Sequence, residues 1–74
     1  MTTSKEWILA FSTQLGVEAP KDEDVATILA LAGEAAHSSE RTAAPVACWL
    51  AARAGLHPAA ALECARRLEF AGES

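Results

Sequence analysis

Apolar residues recur along this chain at three- and four-residue intervals in four separate stretches, and the polar residues between them fall where helices start and stop. In the first stretch Trp7, Ile8, Phe11 and Leu15 share one helical face. Thr3 and Glu6 stand before it at capping-box spacing, and Gly16 is placed to end it. A connector with Pro20 follows, from Val17 to Lys21, and then Asp22, Glu23 and Asp24 put negative charge where a helix N-terminus favours it. In the second stretch Val25, Ile28, Leu29, Ala32, Ala35 and Ala36 follow the i, i+3, i+4, i+7 rule, and Leu31 widens the stripe. The period breaks across Ser38-Ser39-Glu40-Arg41-Thr42, which reads as a turn. A third helix starts with Thr42 as N-cap and Pro45 in its first turn, buries Val46, Trp49, Leu50 and Ala54, and closes at Gly55. After Leu56-His57, Pro58 opens a fourth helix that turns Leu62, Ala65 and Leu68 inward and stops at Gly72. The pattern predicts helices over about 4–15, 22–38, 43–54 and 58–71 of one domain spanning residues 1–74.

Short loops between such helices favour antiparallel neighbours, so the expected fold is all-α, a compact four-helix bundle. Composition supports this. Alanine is the commonest residue, and there are only four Gly and three Pro. Ala32, Ala35, Ala36, Ala47, Ala51 and Ala65 allow backbones to approach closely. The bulk of the core is then expected from Trp7, Phe11, Leu29, Trp49, Leu50 and Leu68. A chain of 74 residues sits near the balance of burial against ordering entropy, so a partner, a dimer or an attached neighbour domain would help it.

Charge and cysteine content narrow the function classes. A net charge of −4 at pH 7 with scattered basic residues argues against nucleic-acid binding, which needs a basic face. Ala54-Gly55-Leu56 would serve as the turn of a helix-turn-helix reader, but the acidic balance and an alanine-rich last helix count against that use. The stretch Trp7 to Phe11 is too short for a signal peptide or a membrane span, so a cytoplasmic location with no membrane association is expected. A carrier protein with a phosphopantetheine arm needs a serine at the start of its second helix, where this chain has Asp22-Glu23-Asp24-Val25-Ala26. Cys48, Cys64, His37 and His57 formally supply a zinc set, but their spacing is unlike compact zinc modules, and the acidic run 22–24 lacks the alternating oxygen ligands of a calcium loop. Cys48 and Cys64 are equally distant from position 56, so a packed hairpin of helices three and four would put them at one height, where agreement of their faces would allow a disulfide. In a reducing compartment two small core residues are the simpler reading. No nucleophile with an adjacent His and acid is present, so no catalytic residue, no metal and no cofactor is assigned.

Three residues form the candidate site. His37 and Arg41 are four apart and precede Ala43-Ala44-Pro45. If helix two runs one further turn, their side chains share a face and present donors to a phosphate or carboxylate; the plainer account is two cations near a helix carbonyl end. Trp7 and Trp49 suit interface anchors but read by their spacing as core. Arg66 and Arg67 read as a solvated face paired with Glu63 and Glu69.

The stretch from Leu29 to His37, continuing through Arg41 to Ala43-Ala44-Pro45-Val46, resembles a small high-GC bacterial family of helical domains found alone or fused to molybdenum cofactor guanylyltransferase. The resemblance also takes in Trp7-Ile8, Leu15-Gly16-Val17, Ala51-Ala52 and Gly55. That family usually has proline directly after the arginine, and Thr42 here removes its rigidity from the turn. The resemblance implies association with molybdopterin guanine dinucleotide biosynthesis or formate dehydrogenase maturation, and carries over His37, Arg41 and Pro45 as the family signature. It does not imply nucleotide transfer, because the chain has no glycine-rich phosphate loop. The leading expectation is a non-catalytic accessory domain that contacts the guanylyltransferase or formate dehydrogenase maturation proteins. The alternatives are a binder of an anionic pterin or nucleotide phosphate through His37 and Arg41, and a homo-oligomeric module such as a homodimer.

Overall fold

The computed structural model describes residues 2–68, which form four helices: α1 Ser4–Leu15, α2 Asp22–Ser38, α3 Ala43–Arg53 and α4 Pro58–Arg66. The fold is all-α, as the hydrophobic period predicts. Local chemistry sets the helix ends. The Thr3 hydroxyl accepts from the Glu6 amide at 3.1 Å while the Glu6 carboxylate accepts from the Thr3 amide at 2.9 Å, a reciprocal cap at the start of α1. Gly16 (φ 76°) and Gly55 (φ 74°) adopt the left-handed conformation that ends α1 and α3. The turn beyond each is closed by a six-to-one bond, Val17 to Ser12 and Leu56 to Ala51. Helix α4 stops at Arg66, short of the expected end near 71, because Arg67 and Leu68 close a tighter last turn onto Cys64 and Ala65. The expected stop at Gly72 lies outside the described residues.

The Thr3–Glu6 cap gives a first prediction. Its hydrogen bonds, chiefly the Thr3 amide and then the Thr3 hydroxyl, hold the Glu6 carboxyl below its ordinary value. A depressed folded-state value means that the stabilisation is fully present above the ordinary glutamate range and is lost as pH falls through the folded value. Thr3→Ala is expected to cost about 1 kcal/mol of α1 stability. In the intact chain, α1 helicity followed by circular dichroism should fall on acidification below about pH 4, and Glu6→Gln should flatten that part of the curve.

Helix α2 is central. Both α3 and α4 pack on it, and they do so in preference to each other. The residues α2 and α3 share around one cleft, Ile28 and Leu31 with Cys48 and Ala51, and around another, Ala35 and Ser38 with Ala43 and Ala47, make these helices antiparallel. Helix α4 runs parallel to α2. His57 at its start lies 3.6 Å from Asp24, and Leu68 just past its end shares a groove with Ser38 and Ser39. Cys48 and Cys64 are both free thiols, so the height match computed for a packed α3–α4 hairpin does not bring them together. Helix α1 meets the first turn of α2, where Ser4, Lys5, Ile8 and Leu9 face Asp22 and Val25. The connector doubles back along α1 to get there, and Lys5 pairs with Asp22 at 3.5 Å.

The core departs from the expected one. Leu31, Ala61 and Ser12 are the buried residues among those described. Leu31 takes the central place assigned to Leu29, which is 65% exposed. Helix α3 is turned so that Ala44, Ala47, Cys48 and Ala51 are half-buried, while Val46, Trp49 and Leu50 are exposed. Trp7, Phe11 and Leu68, also expected inside, face solvent. The reason is helix spacing. Alanine and cysteine on the contact face let α3 come close enough for the Cys48 thiol to lie 4.0 Å from the Ile28 carbonyl, and many short dispersion contacts along two backbones outweigh a few large side chains held at a wider separation. Ser12 is tolerated inside because its hydroxyl donates to the Ile8 carbonyl at 2.7 Å.

Candidate functional site

The corner singled out by sequence is built differently from the form that would bind an anion. Helix α2 ends at Ser38, so His37 lies in its last turn and Arg41 lies in the turn beyond it; the extra helical turn that would align them is absent. Both side chains are exposed, and neither makes an ion pair or a side-chain hydrogen bond among the described residues. Thr42 is the N-cap of α3 but sits in helical conformation (φ −67°, ψ −19°), and its hydroxyl makes no capping bond. Instead the Ala43 and Ala44 amides donate to the Glu40 and Arg41 carbonyls at 2.9 and 3.1 Å. Pro45, the third residue of α3, has no amide to offer. The donors that make a helix start attractive to phosphate are therefore already used or missing.

Other chemistry is equally sparse. Among the described residues no group of three or more His, Cys, Asp and Glu side chains could hold a metal, so Cys48, Cys64, His37 and His57 are not assembled. His57 has a structural place that its sequence position did not announce. Its Nδ1 accepts from the Ala59 amide at 3.4 Å, capping α4, while Nε2 faces Asp24 of α2 at 3.6 Å. The signal was available, since the residue before a proline that opens a helix occupies the N-cap. Arg66 and Arg67 form no ion pair with Glu63 among the described residues, and Glu69 lies outside them. Three clefts among the described residues have volumes of ≈ 190, ≈ 120 and ≈ 280 Å³, below the roughly 300 Å³ at which pockets begin to enclose a small ligand. No helix among the described residues is long and apolar enough to cross a membrane.

What the surface does carry, among the described residues, is exposed apolar side chains, grouped chiefly on α1 and α3. On α1 Trp7, Phe11 and Leu15 are 58%, 47% and 59% exposed, and the Trp7 and Phe11 rings stack obliquely at 5.0 Å. Spaced four apart, they form one ridge along the helix. On α3 Val46, Trp49 and Leu50 are exposed, with the Arg53 guanidinium 5.2 Å from the Trp49 ring centroid. Val46 and Leu50 border a shallow groove with Ala35, Ala43 and Ala47 along it and Leu68 at its edge. Tryptophan and arginine with aliphatic neighbours on an open face are the composition of protein contact sites.

No curated protein and no solved structure matches this chain. A family model described as a domain of unknown function, DUF6457, matches residues 1–72, a span that takes in the α1 ridge, the His37–Pro45 corner and the α3 groove. The chain belongs to the DUF6457 family.

Proposed function

We propose that this chain is a non-catalytic helical accessory domain that works by protein–protein contact. The observation that carries the reading is the inversion of the expected core: the large apolar residues of α1 and α3 face solvent while small ones fill the helix contacts. A soluble monomer gains nothing from exposing two tryptophans, and a binding partner does. The partner class is the one that the sequence resemblance implies, molybdenum cofactor guanylyltransferase or a formate dehydrogenase maturation protein in the cytoplasm. His37 and Arg41 then act as a polar rim beside the α3 face, with Pro45 fixing the shape of the corner, and steer and orient a partner without a built pocket.

The test is co-purification of the tagged chain from its native host. Molybdenum-related proteins are expected with the wild type and are expected to be lost with Trp49→Glu, whose circular dichroism should remain that of the wild type because the side chain is exposed. Loss of formate dehydrogenase activity on deletion of the gene is the matching physiological result. Recovery of no such protein, together with normal formate dehydrogenase activity in the deletion strain, overturns the reading.

A further inference from the structure

We propose that the groove bordered by Val46, Leu50 and Leu68 is filled by α1 of a second copy of this chain, and that the exchange is reciprocal, giving a twofold dimer. The proposal rests on the interaction-domain reading and names one occupant of that surface.

Shape is the first argument. The groove has small residues, Ala35, Ala43 and Ala47, along it and larger ones, Val46, Leu50 and Leu68, bordering it. Ala43 and Ala47, like Val46 and Leu50, are four apart on α3, and Ala35, Ser38 and Ser39 at the end of α2 complete the groove. Trp7, Phe11 and Leu15 make a ridge of the same kind on α1. The seven intervals from Ala43 to Leu50 and the eight from Trp7 to Leu15 correspond to roughly 10 and 12 Å along a helix, so ridge and groove agree in length.

Helix α1 does not fill the groove of its own chain. Helix α1 lies at the N-terminal end of α2, where Lys5 pairs with Asp22 and Ile8 and Leu9 border a cleft with Val25. The groove is at the other end of α2, roughly 25 Å away for a helix of seventeen residues. The connector, residues 16–21, runs back along α1 rather than toward that end. A second copy placed antiparallel brings its α1 to that end and receives the first copy's α1 in return, which closes the assembly at two.

Charge and area agree with this arrangement. Around the N-terminal end of α2, Glu6, Glu18, Asp22, Glu23 and Asp24 outnumber Lys5 and Lys21. Around the opposite end, among the described residues, Arg41, Arg66 and Arg67 stand with Glu34, Glu40 and Glu63. Antiparallel copies therefore set an acidic end against one that carries three arginines. The six ridge and groove-wall side chains are 47–63% exposed. At about 100 Å² each they offer on the order of 600 Å² per protomer before their neighbours are counted, close to the ~800 Å² per partner of a stable interface.

The test uses the full chain and sedimentation velocity. The wild type should sediment at twice 7.7 kDa at tens of micromolar, whereas Leu50→Glu in the groove and Trp7→Glu on the ridge should each sediment as monomers with unchanged circular dichroism. Mixing the two variants should restore a dimer at higher concentration, because the ridge of the first and the groove of the second still match. Should either charged variant unfold, Trp49→Phe leaves Trp7 as the sole tryptophan, and its emission should shift to the blue as concentration rises. A monomeric wild type overturns the pairing while leaving the co-purification result to decide the interaction-domain reading. A dimer that survives both charged variants, a mixture that stays monomeric, or Trp7 emission independent of concentration also overturns it.

Discussion

Leu31→Ala is expected to remove about 3 kcal/mol of folding stability, because Leu31 is the buried large side chain among the described residues. Leu31 is 4% exposed and lines the junction of α2 with Cys48 and Ala51 of α3 and with Leu56 and Pro58 at the start of α4. Cys48, Ala51 and Pro58 beside it are too small or too constrained to fill the cavity that truncation leaves, and the cavity adds to the lost transfer energy. A domain of 74 residues has roughly 4 to 11 kcal/mol in total, so the variant should melt some 10 to 25 °C lower and shift its urea midpoint accordingly. Leu29→Ala is the control. Two residues away on the same helix, Leu29 is 65% exposed, and its truncation should stay within about 0.5 kcal/mol. Equal losses from the two variants would mean that the helix is rotated from the position described.

Ala61→Leu is the second large effect, with a cost of about 2 kcal/mol from the opposite cause. Ala61 is 5% exposed and is the buried residue of α4, which packs on α2. Leucine is nearly as good a helix former as alanine, so a loss cannot come from propensity. It must come from forcing α4 away from α2, which also separates His57 from Asp24. Ala60→Leu, one residue earlier and exposed, should be close to neutral in the same urea titration. Were Ala61→Leu neutral or stabilising, the α2–α4 contact would be looser than a close-packed helix pair.

The helices and the turns between them were legible because their signals are local. The Thr3–Glu6 box, Gly16 and Gly55 in left-handed turns, and Pro58 at the first position of α4 each act within six residues, and each is found in place. The corner of His37, Arg41 and Pro45 was legible as a polar feature, but its geometry was not. Whether His37 and Arg41 share a face depends on where α2 stops, and α2 stops at Ser38 without a glycine to announce it.

The sequence by itself determined the four helices, because capping and the 3.6-residue period are properties of the chain taken a few residues at a time. Only the tertiary structure decided which side of each helix is the inside. On α3 the row of Val46, Trp49 and Leu50 and the row of Ala44, Ala47, Cys48 and Ala51 both repeat at helical spacing, so hydrophobicity along the chain cannot choose between them. Close approach to α2 chooses the small row. The bulky row is left facing outward, and the surface on which both functional proposals stand follows from that choice.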